Sequence, residues 1–275
     1  MPGSIPPVLL SVLLTLAPEP GQQSAPRADA LQAHGMALLE KKDFEGAIAT
    51  LSDAIGLDEA RTRIARNSEC TRQLARSYSN RGHARVAKGD LEDALADFEK
   101  AIALDPTLAD AYLNRAFLRE RYSDPHGALR DFTKAIDLTP ARAEPYYHRG
   151  YALMMRGRLT EALRVFDAAI ERAPTMLHPY QWRGTIRLDA GELDGVLADA
   201  EQLIALSPTY FFGYFLRGMA RLWQSKDAEA DLDFRTCYTF NPAARASIEQ
   251  FVADARKVRS RRKHETLTLS HPVGL

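Results

Sequence analysis

Residues 75–108 read ARSYSNRGHARVAKGDLEDALADFEKAIALDPTL, and residues 109–142 read ADAYLNRAFLRERYSDPHGALRDFTKAIDLTPAR. Set one under the other, the two 34-residue stretches match Tyr78 with Tyr112, Arg81 with Arg115, Ala94 with Ala128, Phe98 with Phe132 and Pro106 with Pro140. The same phase extends down the chain: prolines stand at 106, 140, 174, 208 and 242, each gap being 34. Gly82, Gly150, Gly184 and Gly218 occupy one column, with Ala116 in the remaining slot. Tyr78, Tyr112, Tyr146, Tyr180 and Tyr214 lie four residues before it, and Phe98, Phe132, Phe166, Ala200 and Phe234 lie 16 after it. So many columns in one phase define a repeat array.

Each column has a physical reason. A 34-residue unit without strand signals predicts two helices and two turns. Gly or Ala at the eighth place lets the first helix approach its partner, and Ala94, Ala128, Ala162, Val196 or Ala230 is the small contact on the second. The terminal proline stops the second helix, because it lacks an N–H and disfavours helical geometry before it. These columns resemble the tetratricopeptide repeat from about Ala28 to Pro242, and repeat two carries the full pattern of Tyr78, Gly82, Ala94, Phe98, Ala101 and Pro106. The resemblance implies an all-α, right-handed superhelical solenoid of antiparallel helix pairs.

The boundaries follow from the phase. A degenerate first repeat spans 28–61, with Gly35, Ala47, Leu51 and Ala54 in register, and repeats two to six span 75–108, 109–142, 143–176, 177–210 and 211–242. From Gly35 to Gly82 is 47 residues, one period plus 13, so residues 62–74 are a helical insertion, read as an extension of the first helix of repeat two. Residues 243–264 repeat Ile248, Phe251, Val252, Ala255 and Val258 at threes and fours and predict a C-terminal capping helix, a unit that repeat arrays need. Residues 265–275 read as a tail.

Residues 1–27 differ in character. Val8 to Ala17 (VLLSVLLTLA) is too short to span a bilayer and fits the apolar core of a secretory signal, followed by a Pro- and Gln-rich tether. The expectation is a periplasmic or secreted protein, with a cytoplasmic one as the alternative.

The 36 Lys and Arg balance 36 Asp and Glu, so no basic excess marks a nucleic-acid binder. The chain shows no phosphate loop, no Gly-x-Ser-x-Gly and no His-Glu-x-x-His, and none of its seven histidines pairs with another at metal-ligand spacing. Cys70 and Cys237 lie four repeats apart and predict no bridge. No enzyme, catalytic residue, metal or cofactor is therefore expected.

Sixteen residues after Arg81, Arg115, Arg183 and Arg217 stand Asp97, Asp131, Asp199 and Asp233, while Arg149 faces Val165. Either these form an inter-helix ion-pair ladder or they are separate solvated charges. The family resemblance also implies which places face the concave groove. It points to Leu113 and Phe117 in repeat three; Glu144, Tyr147, Tyr151, Met154 and Met155 in repeat four; His178, Gln181, Thr185, Leu188 and Asp189 in repeat five; and Phe212, Phe215, Met219, Leu222 and Trp223 in repeat six. Such a lining suits a protein or peptide ligand. The repeat-six aromatics either meet that ligand or are covered by the cap. The basic run 256–264 is either a charged helix end or, with the N-terminal segment, the one point of membrane contact. The reading is a non-enzymatic protein- or peptide-binding scaffold of the cell envelope. The alternatives are an accessory subunit of an enzyme complex and an RNA-binding helical repeat.

Overall fold

A computed structural model describes the backbone of residues 20–65, 67–122 and 124–269, and side chains within 27–261. Among these residues there are thirteen α-helices and no strand. The chain divides into two compact units, which meet in sequence between Pro140 and Ala141. The all-α array of helix pairs is as the repeat phase requires.

Unit one holds three hairpins: α1 (Pro20–Glu40) with α2 (Phe44–Ala65), α3 (Ser68–Lys88) with α4 (Leu91–Leu104), and α5 (Ala109–Arg121) with α6 (Pro125–Leu138). Gly89 ends α3 at φ 101°, a left-handed conformation that glycine adopts without penalty, and donates its N–H to the carbonyls of Arg85 and Val86. Asp124 caps α6 by accepting from the Gly127 N–H, with Pro125 at the first helical position. The repeating glycine acts by close approach. A Cβ on Gly82 would lie 2.7 Å from Cε1 of Phe98, so the ring of the second helix rests on the backbone of the first. Phe98 is fully buried there with Ala94 and Leu118.

Unit two holds α7 (Ala143–Met154) with α8 (Leu159–Arg172), α9 (Leu177–Ala190) with α10 (Leu193–Leu206), and α11 (Phe211–Trp223) with α12 (Asp227–Phe240). A 3₁₀ turn at Pro242–Ala244 then leads into α13 (Arg245–Leu269). Where Ala200 replaces the usual phenylalanine, Leu216 of the next hairpin fills the gap, 2.8 Å from a Cβ placed on Gly184. The last core joins Met219, Leu222, Phe234 and Cys237 to Ile248 and Val252 of α13, so α13 packs onto the final hairpin. It is also pinned by charge: Arg256 pairs with Asp231, and Arg259 donates to Asp227 at 2.7 Å and to the Leu222 carbonyl. Two cations of the basic run are therefore spent on docking the cap.

Three boundaries differ from the sequence reading. The insertion 62–74 does not simply lengthen α3: α2 runs on to Ala65 and a new helix starts at Ser68. The break falls at Asn67, whose side chain accepts from the Cys70 N–H, an N-cap that competes with helix continuation. Residues 20–26, read as part of the tether, belong to α1, whose first position is a tolerated proline. Residues 265–269, read as tail, continue α13, since no glycine or proline interrupts them. The apolar run Val8 to Ala17 lies outside the described residues.

Candidate functional site: the first-helix face and its C-terminal pocket

The arginine and aspartate columns meet in all four repeats that carry both. Arg81 forks onto Asp97 through Nε and Nη2 at 3.0 and 2.7 Å, and Arg115 onto Asp131 at 2.8 and 2.8 Å. Arg183 with Asp199 and Arg217 with Asp233 repeat the geometry. A second arginine one helical turn on completes each carboxylate: Arg85, Arg119, Arg187 and Arg221 donate from Nη1 at 2.6, 2.7, 2.9 and 2.8 Å. The four aspartates are at most 3% exposed, so each charge is desolvated and held by three arginine N–H groups. This is the ladder, extended by an arginine column that sequence reasoning missed. The signal was available: Arg85, Arg119, Arg187 and Arg221 share one phase, and in repeat four both partners of Arg149 change together, to Leu153 and Val165, each buried. These groups lock hairpins and leave no open charge for chemistry.

The expected groove residues separate into two sets. Leu113, Gln181 and Met219 are 3, 8 and 2% exposed and cannot be ligand-facing surface. Leu113 is buried within unit one. Gln181 accepts the Tyr210 hydroxyl, and Met219 belongs to the core sealed by α13, as does Leu222. The family's place rule fails at Gln181 and Met219 because Tyr210 and α13 reach over those positions. Phe117, Tyr147, Met154, Phe212, Phe215 and Trp223 are half-buried, whereas Tyr151 is 37% and Met155 64% exposed. Phe117 stands edge-on to Phe132, centroids 5.7 Å apart. In repeat six, Phe215 lies 5.8 Å from Phe251 of α13, and Trp223 packs against the same capped core. The cap thus covers much of the repeat-six aromatic surface.

Repeat four presents a different surface. Tyr147 sits 4.6 Å from His148 and 5.5 Å from His178, and Tyr151 sits 5.3 Å from Trp182. Trp182 was missed by the place rule, although it shares a column with Asn80, Asn114 and His148. Burial pushes the Tyr147 hydroxyl above its ordinary range. Burial also drives His148 down to about 4 against the opposing pull of Glu144, so its ring is neutral near pH 7. The result is an uncharged aromatic and thioether ridge along α7 and α9.

A pocket of about 770 Å³ opens where the last turn of α9 meets α11 and α13. Leu188, Trp223, Phe251 and Val258 supply its apolar walls, and Asp189 and Asp254 are its charged residues. Among the described residues no three His, Cys, Asp or Glu side chains group as a metal site, and no helix is long and apolar enough to cross a membrane. Both cysteines are free and buried, and burial raises the Cys237 thiol to about 11, which removes it as a nucleophile.

Three family models match the chain: tetratricopeptide-repeat models at residues 28–61 and 118–176, and a TPR-repeat model at 74–121. No curated protein sequence matches. Among solved structures, the chain is similar to MamA at 22% identity, with 62% of this chain and 93% of that one covered and a TM-score of 0.56. It is similar to YrrB, a TPR protein with an unusual peptide-binding site, at 20% identity, covering 66% and 92%, with a TM-score of 0.56. PilF of Pseudomonas aeruginosa aligns at 13% identity over 86% of this chain and 100% of its own, with a TM-score of 0.66. At these identities the likeness concerns the fold.

Proposed function

Since the chain belongs to the tetratricopeptide-repeat family, we propose that it is a non-enzymatic scaffold that holds a protein or peptide on the face lined by its first helices. The observation that carries this reading is the α7 ridge, where Tyr151 and Met155 keep 37% and 64% of their surface exposed beside half-buried Tyr147 and Trp182. Tyrosine, tryptophan and methionine offer large contact area at low entropic cost, and methionine adapts to varied ligands. The peptide-binding site of YrrB supports the same use of this fold. The titratable groups favour holding over chemistry: buried carboxylates are committed to arginine forks, and His148 is held neutral.

We place the scaffold in the cell envelope, on the strength of the signal-like run Val8 to Ala17. The intact mass of protein recovered from its own cells reads whether that run is removed. For the binding reading, a photo-crosslinking residue at Met155 captures the partner in cells, and the same residue at Leu232 on α12 is the control. Capture should occur at Met155 alone and fall at least tenfold with Tyr147→Ala plus Tyr151→Ala. Capture that is equal at both positions, or indifferent to the double substitution, refutes the assignment of this face.

A further inference from the structure

We propose that the pocket walled by α9, α11 and α13 takes a cationic, apolar segment of the partner: a leucine or aromatic side chain seated inside, with lysine or arginine at its mouth. The proposal rests on the scaffold reading and names which chemistry that scaffold selects.

Three observations carry it. The pocket is of the size that holds a few side chains, about 770 Å³, and its walls are apolar. It lies on the first-helix face, since Leu188 comes from α9 and Trp223 from α11, so an extended ligand on that face runs into it. Its charge has one sign. Asp189 and Asp254 line it, no lysine or arginine does, and the adjoining hollow adds Glu192 and Asp194. Asp189 and Asp194 carry no ion pair among the described residues, Glu192 reaches Arg187 only at 3.9 Å, and Asp254 accepts from Lys257 at 3.1 Å. Of the cations on α13, Lys257 pairs with Asp254, whereas Arg256 and Arg259 turn away to Asp231 and Asp227 of α12. An apolar slot bordered by carboxylates, of which Asp189 and Asp194 are unpaired among the described residues, favours lysine or arginine beside the anchor and repels acidic segments.

The placement of α13 also explains why half of the cap's apolar face stays open. Ile248 and Val252 are sealed into the core, whereas Phe251 and Val258 remain 53% and 43% exposed because they form the outer wall of this pocket.

The probes are three fluorescein-labelled 12-residue peptides, built from Leu with Lys, Leu with Glu, and Ser with Lys, titrated against the full chain and followed by anisotropy. The Leu–Lys peptide should bind at least tenfold more tightly than either of the others, and its affinity should fall with added salt. Asp189→Asn with Asp254→Asn should weaken it about tenfold and flatten the salt dependence, and Phe251→Ser should weaken it without flattening that slope. Phe251 is more than half exposed, so this variant folds. Failure of the Leu–Lys peptide to bind, equal affinity for the Leu–Glu peptide, or indifference to the double asparagine variant overturns the proposal. Because the scaffold reading is tested separately at Tyr147 and Tyr151, crosslinking that still depends on those residues would leave it standing while this inference falls.

Discussion

Repeats four and six share one backbone plan and use it in opposite ways. Repeat six keeps the buried ionic lock, with Arg217 and Arg221 on Asp233, and α13 covers much of its aromatic face, leaving the pocket beside Trp223. Repeat four has exchanged that lock for Leu153 and Val165, and its aromatic face stands open at Tyr151 and Met155. An ionic lock and an apolar one are interchangeable inside such a hairpin provided all its members change together, because a buried charge without its partner is costly while well-packed apolar groups are not. Exposure of the face is set independently, by what stacks on it.

The largest effect should come from breaking the lock. Asp233→Ala strands two partly buried arginines and should cost about 3–5 kcal/mol in denaturant unfolding. Val165→Ala in the equivalent position should cost about 2 kcal/mol, the transfer and cavity loss of a valine. The comparison sharpens with Val165→Asp, which should destabilise alone, since Leu153 offers no second donor, and recover most of the loss when combined with Leu153→Arg. Recovery that does not appear would show that repeat four cannot accept the ionic version.

Next come the two aromatic faces. Phe215→Ala should lower stability by about 2 kcal/mol, because Phe251 covers that ring. Tyr151→Ala should change stability by less than about 0.5 kcal/mol yet weaken partner capture. If instead Tyr151→Ala unfolds the chain, its face is core and not a binding surface.

A smaller effect, equal in both repeats, is expected at the crossing glycines. A Cβ on Gly150 or Gly218 would lie 2.7 Å from Phe166 or Phe234, so either Gly→Ala change should cost about 1–2 kcal/mol by overpacking. Unequal melting shifts would mean that the two crossings differ in their freedom to adjust. Ala116 shows that the position accepts a methyl when the neighbouring ring packs to suit it.

The smallest effect is a pH dependence special to repeat four. The His148 ring has its pKa lowered from 6.5 to about 4 by burial, so the folded chain binds this proton less readily than the unfolded one. Stability is then unaffected above about pH 6.5 and declines as pH falls from 6.5 towards 4. His148→Gln should flatten that acid limb in thermal melts, while partner binding between pH 7 and 8 stays constant.

Much of the fold was legible because each signal is local. Gly82 with Phe98 and Arg81 with Asp97 are both 16 residues apart, the distance across one hairpin, so periodicity alone placed them together. The candidate site was less legible. The family's place rule named Tyr151 and Met155, which are exposed, and half-buried Tyr147, but also Leu113, Gln181 and Met219, which are buried. It missed Trp182, which lies outside the rule's places yet sits 5.3 Å from Tyr151. The insertion was legible in length and not in shape, since one asparagine cap at residue 67 divides it between two helices.

Spacing alone sufficed for the helix-pair array, its period, the glycine crossings and the alignment of the arginine and aspartate columns, whose pairing the sequence left open. All of these depend on spacing within one 34-residue unit, and helical geometry converts spacing directly into contact. The docking of α13 settles which aromatic face is covered and where a pocket remains. Phe215 meets Phe251, and Arg259 reaches Asp227, only after α13 has docked across two helices, and no periodicity encodes the angle at which a terminal helix comes to rest.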